Sequence, residues 1–142
     1  MMEEIISYVY PTLLREGMSA SETYPPQLSI TPDTKDGTHT LAVTAAFILQ
    51  QVGMYYMEVG VYRHDESVIA SPSRSGLIET KFYEQTQTSR LLTIYSMIAS
   101  GVDLSVEGIY RISVKAYRSK DGIRNELPAA ENECFFYVSY RA

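Results

Sequence analysis

At 142 residues, 45% hydrophobic and 20% charged, the chain has the composition of one soluble globular domain. A chain of that length buries roughly 68–70% of the surface its unfolded form exposes, so one core stabilises it without a metal or disulfide staple. Twelve Lys and Arg against 17 Asp and Glu leave a net charge of -5. That balance disfavours a protein whose affinity comes from neutralising phosphates, and the acid is too dilute for a mimic of DNA. The single cysteine, Cys134, allows no internal disulfide and no paired-thiol zinc site.

The chain opens with Glu3 and Glu4 and has only Ile5 and Ile6 before Ser7. A secretory signal instead needs a basic start and an apolar run of roughly 7–15 residues. The longest apolar-leaning stretch, 41–49, is far below the ~20 residues of a membrane-spanning helix. These features predict a cytoplasmic protein of a bacterium or a phage, with no membrane partner.

Tyr, Val, Ile and Thr in alternation predict strands rather than helices. The first is 5–10, followed by turn chemistry at Pro25-Pro26 and Asp36-Gly37 and a second strand at 39–49. In the third, 55–62, Tyr55, Met57, Val59 and Val61 share one face. Shorter strands at 67–70 and 77–83 flank a turn at 72–76. Residues 90–100 fit two patterns, since Leu91, Ile94, Tyr95 and Ile98 make a helical face while Leu92, Ile94, Ser96 and Ile98 make a strand face. In 110–117, Tyr110, Ile112, Val114 and Ala116 point one way and Arg111, Ser113 and Lys115 the other, as in a strand with one wet face. After a turn at Asp121-Gly122 the last strand is 134–140. The predicted fold is a single antiparallel β-sandwich over 1–142, immunoglobulin-like in the broad sense, with a short helix at 90–100 as the alternative to a strand there. Val43, Phe47, Met57, Val59, Val61, Ile112, Val114, Phe136 and Val138 are its predicted core.

Residues 53–63 match 108–118 at a constant offset of 55 residues, with Gly53/Gly108, Tyr55/Tyr110, Val59/Val114, Tyr62/Tyr117 and Arg63/Arg118 identical. One reading is convergence on a common strand pattern. The other is a repeated hairpin, one copy in each sheet of a sandwich. Either way the glycine favours positive φ at the start of the strand, and Tyr55 and Tyr110 enter the core with hydroxyls that need an acceptor.

The order of features also resembles a family of small bacterial single-domain β-sandwich proteins of unknown function. The matching stretches are 5–16 followed by Gly17, the central hairpin 41–62, and Glu107-Gly108-Ile109-Tyr110 through Val138. The resemblance implies the sandwich over nearly the whole chain and carries over no catalytic or binding residue.

Chemistry is sparse. His39 and His64 read as loop or strand-end residues and Cys134 as a small core hydrophobe, so no activated nucleophile is expected. Asp33-Thr34-Lys35-Asp36-Gly37 lacks the ligand spacing of a calcium loop, and no Gly-rich phosphate loop is present. No cofactor is expected. Arg111, Lys115, Tyr117 and Arg118, extended by Lys120 and Arg124, form a basic stripe that reads better as a solvated strand face than as a nucleic-acid groove. Trp, the usual sugar platform, is absent.

The remaining signal is aromatic surplus. Cys134, Phe136, Val138 and Tyr140 take one side of the last strand while Phe135 and Tyr137 take the other, and Tyr56 and Tyr62 lie on the outer side of the third. Phe135, Tyr137, Tyr56 and Tyr62 are therefore the candidate protein interface, unless the N-terminal segment or the loop at 126–128 covers them as a second small core. A terminal strand without Pro or Lys is also expected at an open edge that can template pairing. The expected function is a non-catalytic protein-binding or assembly module that self-associates or holds a protein partner. Alternatives are a phage or prophage structural or host-directed protein, and a small enzyme or ligand-binding domain built on His39, His64 or Cys134.

Overall fold

The computed structural model describes residues 4–19, 23–49, 53–69, 78–84, 91–121 and 123–140, and among them there is no helix. The strands are β1 (Ile5–Leu14), β2 (Ser29–Ile30), β3 (His39–Leu49), β4 (Gly53–Arg63), β5 (Glu66–Ser67), β6 (Ile78–Glu84), β7 (Leu91–Val102), β8 (Gly108–Lys120), β9 (Ile123–Arg124) and β10 (Ala130–Val138). A small sheet has the order β1-β3-β7. A larger one runs β2-β10-β8-β4, with β5 and β6 sharing the far side of β4 and β9 turned back on β8. Every pairing is antiparallel except that of β10 with β2.

Alternation places the core. Leu41, Val43, Ala45, Phe47 and Leu49 of β3 face Met57, Val59 and Val61 of β4, Ile112, Val114 and Ala116 of β8, and Phe136 and Val138 of β10 in one cluster, all nearly devoid of solvent. All nine predicted core residues belong to it. Tyr110 enters at the start of β8, 1% exposed, where its hydroxyl donates to the Val106 carbonyl at 2.6 Å and its ring stacks on Phe136 at 5.5 Å. Gly108, with φ of 140° and open space where a Cβ would stand, lets the chain turn into that strand.

Residues 91–100 are strand, and the helical alternative is corrected. Leu91 to Ala99 run antiparallel to Leu49 to Leu41, with Thr44 Oγ1 and Ser96 Oγ 2.8 Å apart. β3 is the middle strand of its sheet, and a helix here would leave the second row of its backbone donors and acceptors without a ladder. The predicted strand at 67–70 is shorter, reduced to Glu66–Ser67 and a bridge from Ile69 to Val102, while Ala70, Leu77 and the turn at 72–76 lie outside the described residues.

The repeat is also corrected in one respect. Its two copies are not shared between sheets but lie side by side as β4 and β8, antiparallel, with Val59 opposite Val114. Tyr55 consequently stands opposite Arg118 and Tyr110 opposite Arg63, the same pair generated twice about a local two-fold axis through the valines.

β10 is likewise no open edge. Its last residues pair with β2, through Tyr137 N–H to Leu28 O at 2.8 Å and Ser139 N–H to Ile30 O at 3.1 Å. Farther along, β1 packs beside it, and a register shift between Ile6 and Tyr8 lets the Ile6 carbonyl accept the Asn132 side-chain amide at 2.7 Å. The buried Glu4 carboxylate pairs with the Arg118 guanidinium and ties the start of β1 to the far end of β8.

Candidate functional site

The outer face of the large sheet carries the odd-numbered residues of β8 and β10 and the even-numbered residues of β4, and strand register sets them in rows. Tyr137 stands opposite Ile109. The next row is Phe135, Arg111 and Tyr62, followed by Glu133, Ser113 and Gly60, then Glu131, Lys115 and Glu58, and last Tyr117 beside Tyr56.

The two ends of this face differ. At the far end the β8–β9 turn, with Asp121 at φ 55°, brings Arg124 back over the sheet. Its guanidinium lies 4.2 Å from the Tyr117 ring centroid, and its Nη1 sits 2.9 Å from Oε2 of the buried Glu58. Tyr117 donates its hydroxyl to Glu58 Oε1 at 3.3 Å. Burial, reinforced by the Glu58 charge, raises the Tyr117 pKa and keeps that donor protonated. This end is closed, and Tyr56 within it is 6% exposed. Tyr56 therefore does not reach the surface, contrary to the expectation of an interface role.

Toward the start of β8 the face is open and apolar. Ile109 is 63% exposed, Phe135 53% and Tyr137 46%, with Leu28 at 79% on the chain that pairs with Tyr137. Phe135 and Tyr137 thus remain about half exposed and are not enclosed in a second small core. Arg111 borders them, its guanidinium 4.5 Å from the Tyr62 ring centroid and its Nη1 3.3 Å from Glu133 Oε2. Tyr62 is half-buried in that stack and lies flat over Gly60, where an added Cβ would come within 2.5 Å of its hydroxyl oxygen. Burial raises the Tyr62 pKa, and Arg111 opposes the shift. An open groove of about 680 Å³ runs along this end between Arg63, His64, Ile109, Arg111, Phe135 and Tyr137.

The structure thus brings Phe135 and Tyr137 together, places Tyr62 beside them under Arg111, and withdraws Tyr56. Ile109 and Leu28 complete the patch. Ile109 was legible as the apolar residue two before Arg111 on the same strand face. Leu28 had no signal, because it arrives through a two-residue parallel pairing.

The candidates for chemistry are dispersed. His39 Nε2 is 3.0 Å from the Thr34 carbonyl at the start of β3, and His64, at φ 57°, occupies the turn after β4. Among the described residues no hydrogen bond joins either imidazole to Cys134, and no three of His, Cys, Asp and Glu gather around a cation position. Burial, followed by the Glu133 charge, pushes the Cys134 thiol up to about 12.

At pH 8 only about 10⁻⁴ of this thiol would be ionised. Its modification by a disulfide reagent in the native protein is expected to be at least a hundredfold slower than in denaturant, and equal rates would refute the burial argument. The same shift has a consequence for stability. A thiol or phenol whose folded pKa is raised contributes stability that is complete below its unfolded pKa and is lost as pH rises through the folded value. Cys134, Tyr62, Tyr110, Tyr117 and Tyr140 all shift upward. The thermal midpoint is therefore expected to fall from about pH 9 upward.

No protein-family model and no curated protein matches the sequence. A solved bacterial adhesin from Mobiluncus mulieris, described as containing intramolecular disulfide, isopeptide and ester bond cross-links, superimposes on 97% of the chain with a TM-score of 0.56 at 9% identity. The chain spans 58% of that adhesin's length. What the two share is the fold, and this chain is an all-β protein of packed sheets, consistent with a β-sandwich.

Proposed function

We propose that the chain is a non-catalytic protein-binding module and that its contact surface is the open end of the large sheet's outer face, formed by Phe135, Tyr137 and Ile109 with the Arg111–Tyr62 stack at its border. The observation that carries this reading is the exposure of three large apolar side chains side by side on paired strands. Soluble proteins keep such contiguous area for partners, and rigid aromatics next to an arginine are the side chains that dominate binding energy at interfaces. Adhesion, the task named for the Mobiluncus protein, is also binding without catalysis and supports the same reading.

The test is Phe135→Ser combined with Tyr137→Ser. Both residues are about half exposed, so the thermal midpoint is expected to move by only a few degrees, ~1–4 °C. Proteins captured from the producing cell by the wild-type chain are then quantified against this variant and against a control, Leu92→Ser with Ile94→Ser, exposed on the other sheet. A specific partner should lose at least about tenfold in affinity with the first variant and none with the control. Equal capture by all three proteins would refute the assignment. So would a collapse of stability in the first variant, which would mean that the rings belong to a core.

A further inference from the structure

The outer face of the small sheet differs from that of the large one in its chemistry. β1, β3 and β7 contain no Asp, Glu, Lys or Arg. Strand register sets their outward residues in rows, first Ile5, Ile48 and Leu92, next Tyr8, Ala46 and Ile94, then Tyr10, Thr44 and Ser96. Tyr10 donates its hydroxyl to the Tyr24 carbonyl at 2.7 Å, and Thr44 Oγ1 lies 2.8 Å from Ser96 Oγ. These polar groups are engaged within the chain and ask for no ligand.

The second row has a shape of its own. Its middle strand presents only the methyl group of Ala46, while Tyr8, 43% exposed, and Ile94, 57% exposed, stand on either side. The Tyr8 ring stacks on Tyr10 at 6.1 Å, which steadies that wall. The two walls are two strand spacings apart, about 9–10 Å, which admits one apolar side chain between them. One row therefore holds a notch and, on β7, a knob of the size that fills it. At roughly 200 Å² for a fully exposed large side chain, Ile5, Tyr8, Leu92 and Ile94 leave about 400 Å² open, and half-buried Tyr10, Ile48 and Ile98 adjoin them, so two such faces in contact would remove on the order of 1,000 Å² from water. That area is where specific contacts begin, and it suits a reversible dimer.

We propose that two copies of the chain pair through this face, about a two-fold axis parallel to the strands that lays β7 of each over β3 of the other. Ile94 of each copy then enters the notch above Ala46 of the other, between its Tyr8 and Ile94. Because knob and notch share a row, one axis makes both fits at once, as an isologous contact requires. No like charges meet, whereas the large sheet's outer face carries Arg111, Lys115, Glu131 and Glu133 and would set them against their own copies. The two outer faces lie on opposite sides of the molecule, so this dimer leaves the Phe135 and Tyr137 surface free and does not rest on its reading as a binding face.

Sedimentation equilibrium from ~10 µM to ~0.5 mM, a range suited to a contact of this size, tests it. The wild type should pass from monomer to dimer and stop there. Ile94→Ala, which removes the knob, and Ala46→Ile, which fills the notch, should each weaken association at least tenfold while moving the thermal midpoint little, since both positions lie on the solvent side of the sheet. Their equimolar mixture should recover a one-to-one heterodimer, because each variant supplies what the other lacks at both fits, and one chain carrying both changes should recover the homodimer. Ile94→Glu should be monomeric throughout, and Phe135→Ser with Tyr137→Ser should dimerise like the wild type. A wild type still monomeric at the highest concentration, single variants as dimeric as the wild type, or a mixture no more associated than its parts would overturn the proposal. Loss of the dimer in the Phe135 and Tyr137 variant would overturn it too, by moving self-association to the large sheet. Capture of a foreign protein through Phe135 and Tyr137 is a separate measurement, so either proposal can fail alone.

Discussion

Val114→Asp is expected to abolish cooperative folding. Val114 has no exposed surface, sits in the middle of β8 with Val59 opposite on one neighbour and Asn132 on the other, and points into the cluster that joins the two sheets. A carboxylate placed there loses its hydration and gains no cation. Burying an unpaired charge costs several kcal/mol even after relaxation, a large part of the ~5–15 kcal/mol that stabilises an ordinary domain. Val114→Ala, which removes only two methyl groups, should cost about 2 kcal/mol and leave a cooperative transition. Far-ultraviolet circular dichroism with urea denaturation separates the cases. A soluble Val114→Asp protein with a sharp melt near that of the wild type would show that this position is open to water.

Tyr110→Ala should be the next most damaging change. It empties the space of a ring that is 1% exposed, removes the stack on Phe136 and leaves the Val106 carbonyl without its hydroxyl donor. Large-to-small changes of this kind cost about 3–5 kcal/mol. Tyr110→Phe isolates the hydrogen bond and should cost only about 1–2 kcal/mol. The pair bears on function as well, because Tyr110 is the inward residue between Ile109 and Arg111, which form the outward patch. Loosening the start of β8 should disturb that patch, so Tyr110→Ala is expected to weaken partner binding and Tyr110→Phe to preserve it. Loss of binding in Tyr110→Phe at unchanged stability would instead place the hydroxyl itself in the interface.

The candidate surface shows why a list of outward aromatics is not yet a site. Phe135 and Tyr137 were readable as a pair from strand alternation, and they are exposed as that pattern requires. Tyr56 obeys the same alternation and also points outward, yet it is buried, in the row it shares with Tyr117, at the end of the sheet where Arg124 returns from a two-residue strand to Glu58 and Tyr117. Direction relative to a strand is a local property, whereas exposure depends on what another segment lays over it. Ile109 joins the patch through its register with Tyr137.

The sequence by itself determined where most of the long strands run and which side chains they turn inward, since a period of two acts over neighbouring residues and all nine positions it named as the core are buried. It also determined that a repeated strand exists. Only the tertiary structure decided that the two copies pair with each other, that residues 91–100 complete a sheet instead of forming a helix, and that β2 and β1 occupy the flank of β10. The physical reason is common to all three. Backbone groups in a strand pair with whichever strand the folded chain places beside them, and that choice rests on closing one core between two sheets, an energy summed over residues far apart in the chain and invisible in any single window of sequence.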